Sequence, residues 1–147
     1  MKKTEPQTQK KILIILFTIL LLIDQISKFI AYKFPDFEIK NEQISDNNGY
    51  YIIMSIIVVL MIIRYISNDN TFIKLDTKII LSFGIAGAIG NTIDRIIRKS
   101  VVNFIPIGNS LKLNLAYIYI LVAWIGMATI LTKNTMKIIR EKNKNKL

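Results

Sequence analysis

Residues 12–32 read ILIILFTILLLIDQISKFIAY, and this stretch decides the fold. Eleven of the twelve residues from Ile12 to Ile23 are apolar; Thr18 is the exception. Counted through Tyr32, the segment has the roughly 20 residues that an α-helix needs to cross about 30 Å of hydrocarbon. Yet Asp24, Gln25, Ser27 and Lys28 lie inside it. A charged side chain at the centre of a membrane helix costs about 2.5–3.5 kcal/mol on insertion scales, so a function is its default reading. The bland alternative is a structural ion pair that knits helices together.

Working outward, three more apolar blocks follow at about Tyr50–Ile66, Ile79–Ile97 and Leu113–Thr132. The chain is 52% hydrophobic and still carries 20 Lys and Arg against 10 Asp and Glu, a net charge of +10. Long apolar blocks separated by short charged ones indicate an all-α integral membrane protein of four transmembrane helices with short extracytoplasmic loops. The first block could serve as a cleaved signal peptide, but it is long, carries charge and lacks a clear A-x-A pattern, so it reads as a span. The basic residues sit mostly at the two ends. With an odd–even assignment of connections, 13 Lys and Arg fall on one side and 6 on the other. The side rich in basic residues is the cytoplasmic one, which places both termini there and removes the need for a nucleic-acid partner.

The domain division is therefore a basic N-terminus (1–11), a four-helix membrane domain (12–132) and a basic tail (133–147) whose end, REKNKNKL, is expected to be disordered. In the first outer loop, FEIK (37–40) suggests a short β element. In the second, Val101, Val102 and Phe104 favour extended chain before Pro106. The sequence has no cysteine and no histidine. Disulfides, thiol catalysis, Ser–His chemistry and His- or Cys-ligated metal are excluded, and no cofactor is expected.

The polar residues fall at one depth. Asp24 lies 12 residues beyond Ile12 and Asn91 lies 12 beyond Ile79, about 18 Å along each helix. Lys28 follows Asp24 at i+4; Asp94 and Arg95 follow Asn91 at i+3 and i+4. Gly84, Gly87, Ala88 and Gly90 precede them as small residues that let another helix approach. Asn114 and Tyr117 open the fourth helix, and Asn47 and Asn48 stand at the entrance to the second. Four polar clusters are thus expected to converge near the outer end of the bundle.

The stretches DQISK (24–28), NNG (47–49), GAIGNTIDR (87–95), VVNFI (101–105) and NLAY (114–117) occur in the order and topology of bacterial signal peptidase II, the lipoprotein signal peptidase. The sequence resembles that family from about residue 12 to 132. The resemblance implies an intramembrane aspartyl endopeptidase scaffold of the bacterial inner membrane. Its substrate would be a diacylglyceryl-modified prolipoprotein, cleaved before the modified cysteine. It also implies that Asp24, Lys28, Asn47, Gly49, Gly87, Asn91, Asp94, Arg95 and Asn114 shape and stabilise the pocket. At the two positions where the family carries its catalytic aspartates, however, this sequence has Asn103 and Tyr117. Paired carboxylates divide the work: the ionised one takes a proton from water and the protonated one polarises the scissile carbonyl. An amide is no base near neutral pH, and a phenol with an ordinary pKa of about 10 is no carboxylate. Tyr50 and Tyr51 stand where small residues are usual, and the first outer loop is short. The expectation is an inactive family member that binds a lipoprotein signal peptide, membrane lipid or a membrane partner. The alternatives are an active divergent peptidase with Asp24 and Asp94 as a displaced dyad, and a structural membrane subunit.

Overall fold

The computed structural model describes residues 6–34, 40–43, 48–67, 74–109 and 111–144. Four helices carry the architecture: α1 (Pro6–Lys33), α2 (Asn48–Ser67), α3 (Leu75–Arg98) and α4 (Leu115–Lys144). Strand β1 (Lys40–Gln43) follows α1. Strands β2 (Ser100–Asn103), β3 (Ile105–Ile107) and β4 (Leu111–Leu113) fill the connection from α3 to α4.

Each boundary has a local cause. Pro6 opens α1, where its missing N–H costs no helical hydrogen bond. The helix stops at Lys33, and the residue before Pro35 is biased away from helical backbone. α3 ends at Lys99, which turns the chain in the left-handed region with φ 55°. α4 starts at an N-cap: the Asn114 side-chain oxygen accepts the backbone N–H of Tyr117 at 2.9 Å.

α3 is the central helix and touches α1, α2, α4 and β2. Its glycines explain how. A Cβ on Gly87 would stand 2.4 Å from the Ala116 carbonyl oxygen, and one on Gly90 would stand 2.4 Å from an Asp24 carboxylate oxygen. The small residues therefore set the approach of α4 and α1 to α3.

The distribution of polarity is inverted relative to a water-soluble protein. Met61, Ile97 and Trp124 are 68%, 71% and 73% exposed, while Asp24, Lys28, Asp94 and Asn114 are fully buried. A small apolar core of Leu20, Ala86 and Tyr119 lies beside them. α1, α3 and α4 are each long and apolar enough to cross a membrane; α2 has the shorter apolar stretch Gly49–Arg64. The chain is an all-α membrane protein.

The two sheets are small. β1 pairs antiparallel with β2, Lys40 opposite Asn103, and β3 pairs antiparallel with β4, Ile105 opposite Leu113. The strand expected at FEIK lies instead at Lys40–Gln43, sharing only Lys40 with it; residues 37–39 lie outside the described residues. The extended chain expected from Val101 is present and runs on through Pro106. The disordered tail expected from Arg140 is corrected as far as Lys144, because α4 continues that far with exposed side chains. Lys137 and Glu141 face each other there at i+4, 3.8 Å apart.

Candidate functional site

A buried polar knot ties three helices and one strand. The Lys28 ammonium, on α1, has three N–H groups and three acceptors. It stands 2.9 Å from Asp24 Oδ2 one turn earlier and 2.9 Å from Asp94 Oδ2 on α3. It also donates to Asn91 Oδ1 at 3.0 Å. All three ionised side chains are wholly inaccessible. Burying a charge this completely is tolerable only when it is paired and hydrogen-bonded.

The carboxylates are satisfied in turn. Asp24 Oδ1 accepts the backbone N–H of Ala116 at 2.9 Å, joining α1 to the first turn of α4. Acidic groups are favoured at that helix end. Its other oxygen also accepts from Gln25, whose amide donates in addition to the Gly90 carbonyl at 3.2 Å. Asp94 accepts from Arg98 at i+4, and from the Val102 backbone N–H at 3.3 Å. Two carboxylates and two cations make the knot electrically neutral.

Asn114 extends the knot to the strand. Its amide nitrogen donates to Asn91 Oδ1 at 3.0 Å, the Val102 carbonyl at 3.1 Å and Asn103 Oδ1 at 2.9 Å. One residue therefore caps α4 with its oxygen and holds β2 and α3 with its nitrogen. Asn103 is buried, and Tyr117 is half-buried on the first turn of α4.

The structure thus brings together Asp24, Lys28, Asn91, Asp94 and Asn114 as the sequence suggests, and adds Asn103. Three of the four expected clusters converge; Asn47 lies outside the described residues. Gly49 is exposed, with open space where a Cβ would be, and is not drawn into the knot. Gly87 sets helix spacing. Asp94 does not pair with its neighbour Arg95: adjacent residues point about 100° apart on a helix, so Arg98 at i+4 takes the carboxylate. Arg95 turns toward α2 and lies 5.7 Å over the Tyr51 ring. Gln25 and Gly90, noted in the sequence as a polar residue within the span and a small residue for helix approach, both take part in the knot, whereas Arg98 was not singled out. The i+4 spacing of Asp94 and Arg98 was the available signal for it.

A second feature begins beside Arg95. An apolar groove of about 460 Å³ opens between α2 and α4 with α3 as its floor, lined by Tyr51, Met54, Val58, Ala88, Ile120 and Trp124 among others. Tyr117 precedes Ile120 and Trp124 at helical spacing on the same side of α4, one turn beyond the groove. Among the described residues, no cluster of acidic side chains suits a metal ion.

The comparisons with known proteins follow this geometry. Residues 36–133 match the family model described as signal peptidase (SPase) II. The chain belongs to the signal peptidase II family. The match covers the connection after α1, the whole of α2 and α3, the strands and most of α4. Two solved structures share the fold, both bacterial membrane enzymes obtained by the in meso method. One, at 2.3 Å resolution, is 22% identical with a TM-score of 0.74, over 91% of this chain and 93% of the other. The second, at 1.9 Å, is 22% identical with a TM-score of 0.71, over 88% and 96%. No curated protein matches the chain significantly. Asn103 and Tyr117, the two positions marked by the family resemblance, both lie beside Asn114. They sit on β2 and the first turn of α4, joined through Asn114.

Proposed function

We propose that this protein is a signal peptidase II scaffold that has lost peptide-bond hydrolysis and retained binding. Its ligand is the apolar signal peptide of a diacylglyceryl-modified prolipoprotein, or a membrane partner of like character. It resides in the bacterial inner membrane with both termini in the cytoplasm. The domain limits are those read from the sequence.

The observation that carries the reading is the chemistry of the buried acids. Asp24 and Asp94 are shielded completely from solvent, and one ammonium stands 2.9 Å from each. A carboxylate held in that way neither takes a proton from water nor meets a scissile carbonyl. The displaced dyad is disfavoured on this ground. Where family resemblance puts the dyad, Asn103 is an amide already bonded to Asn114, and Tyr117 is a bulky phenol. The groove between α2 and α4 offers an apolar bed for a helical segment, running up to Tyr51 and Arg95.

The test is complementation of a strain depleted of signal peptidase II, with parallel cleavage of a lipid-modified precursor by purified protein. The unmodified chain is expected to rescue nothing and cleave nothing, while binding the precursor. The variant carrying Asn103→Asp and Tyr117→Asp is expected to regain cleavage. Cleavage by the unmodified chain overturns the proposal. Absence of precursor binding would leave the structural-subunit reading in its place.

A further inference from the structure

The β3–β4 hairpin has one apolar face whose tip side chains, Ile107 and Leu111, are exposed. In an antiparallel pair, alternate residues of each strand share a face with their cross-strand partners. Ile105 is opposite Leu113 and Ile107 opposite Leu111, so these four side chains lie together; Pro106 and Lys112 share the other face. Burial is graded along the apolar face. Ile105 and Leu113, next to the helices, are half-buried, whereas Ile107 and Leu111 at the tip are 48% and 53% exposed.

The flanking helices fix where this hairpin stands. α3 and α4 are both able to cross a membrane, one ending at Arg98 and the other starting at Leu115. The whole connection therefore lies at a boundary between lipid and water. The turn at Gly108, with φ 61°, and Asn109 folds the chain back so that both bare aliphatic side chains are at the same end. Lys99, exposed at the base of the connection, is placed for the phosphate level.

We propose that the tip of the β3–β4 hairpin is an interfacial anchor, with Ile107 and Leu111 seated among the acyl chains of the adjoining leaflet. The occupant of this surface is bilayer phospholipid. The anchor acts directly on the polar knot: the Phe104 backbone N–H donates to the Leu113 carbonyl at 2.9 Å, and Asn103 and Asn114 flank those residues. Seating the hairpin sets the depth of Asn103 and Tyr117 relative to the lipid glycerol level. This inference does not rest on the loss of hydrolysis.

The test uses the full chain with Trp124→Phe and Ile107→Trp, reconstituted in vesicles of zwitterionic and anionic phospholipid. The acyl chains are brominated either near the glycerol end or near the methyl end. Emission from position 107 is expected to be blue-shifted and quenched most by bromine near the glycerol end. The unmodified chain, whose one Trp lies nine residues into α4, is expected to be quenched more by the deeper bromine. Water-like emission from position 107, unaffected by either lipid, overturns the proposal. So does a blue shift that is not quenched by either lipid and that fades as the protein is diluted in lipid, the mark of a contact between copies. Methyl NMR of the unmodified chain in nanodiscs decides the question if the variants do not fold. Spin-labelled lipid should broaden Ile107 and Leu111 and leave the buried Val101 and Val102 sharp. Equal broadening of all four, or of none, overturns the proposal.

Discussion

Replacing Lys28 with methionine keeps the length and most of the volume of the side chain and removes its charge. In the native knot that ammonium is wholly buried, 2.9 Å from each of two carboxylates and 3.0 Å from the Asn91 amide oxygen. Without it Asp94 still has Arg98, whose side chain is 22% exposed, but Asp24 keeps only uncharged donors, the Gln25 amide and the Ala116 N–H. The knot passes from neutral to one uncompensated negative charge. Breaking a buried pair by removing one partner typically costs about 3–5 kcal/mol, and Lys28→Met is expected to fall in that range. The double variant Lys28→Met with Asp24→Asn restores neutrality and is expected to recover about half of the loss or more, because the stranded charge, not the absent contact, is the larger cost. Reversible unfolding of the reconstituted protein, read as a double-mutant cycle, measures both. A single-variant cost under about 1 kcal/mol, or a double variant no better than the single one, refutes this account of the knot.

Gly87→Ala places a methyl group 2.4 Å from the Ala116 carbonyl oxygen and 2.8 Å from an Ile120 side-chain carbon, so α3 and α4 must separate. A loss of about 1–3 kcal/mol is expected in thermal unfolding, against no loss for Gly49→Ala, whose Cβ meets nothing within 4 Å. Asn114→Ala removes both the α4 cap and the donor shared by Asn91, Val102 and Asn103, at about 2–3 kcal/mol; Asn114→Ser keeps a cap acceptor without adding charge. If the two variants unfold at one temperature, the donor bonds carry all of the effect and the cap none. Lys99→Gly relieves a left-handed lysine at φ 55° and is expected to stabilise the protein by up to about 1 kcal/mol, seen as a higher Tm.

The four helices were legible because an apolar run long enough to cross a bilayer has few other uses. Asp24, Lys28, Asn91, Asp94 and Asn114 were legible for the converse reason: polar groups at matching depth in such runs need one another. What the sequence concealed was direction. The choice of Arg98 over Arg95 depends on angular position around α3, and Gly90 matters only because the Asp24 carboxylate lies against it. Asn103 was marked only through the family resemblance; its tie to Asn114 was not legible, because a four-residue strand is too short for a periodic pattern to show which way its side chains face. The end of α4 was obscured by its Lys- and Asn-rich composition, which resembles that of a disordered tail. The helix persists there through propagation from the span and a local Lys137–Glu141 pair.

The polar ties described above fasten α1, α3, α4 and β2 to one another, and among the described residues α2 is outside them. Its hold on the rest is apolar packing on α3 and the stacking of Arg95 on Tyr51. In hydrocarbon, exchanging a protein–protein contact for a protein–lipid one is nearly neutral. α2 is accordingly the helix whose attachment depends on how well the surrounding lipid competes with its apolar packing, whereas the other three are fastened by charge and hydrogen bonds that lipid cannot replace.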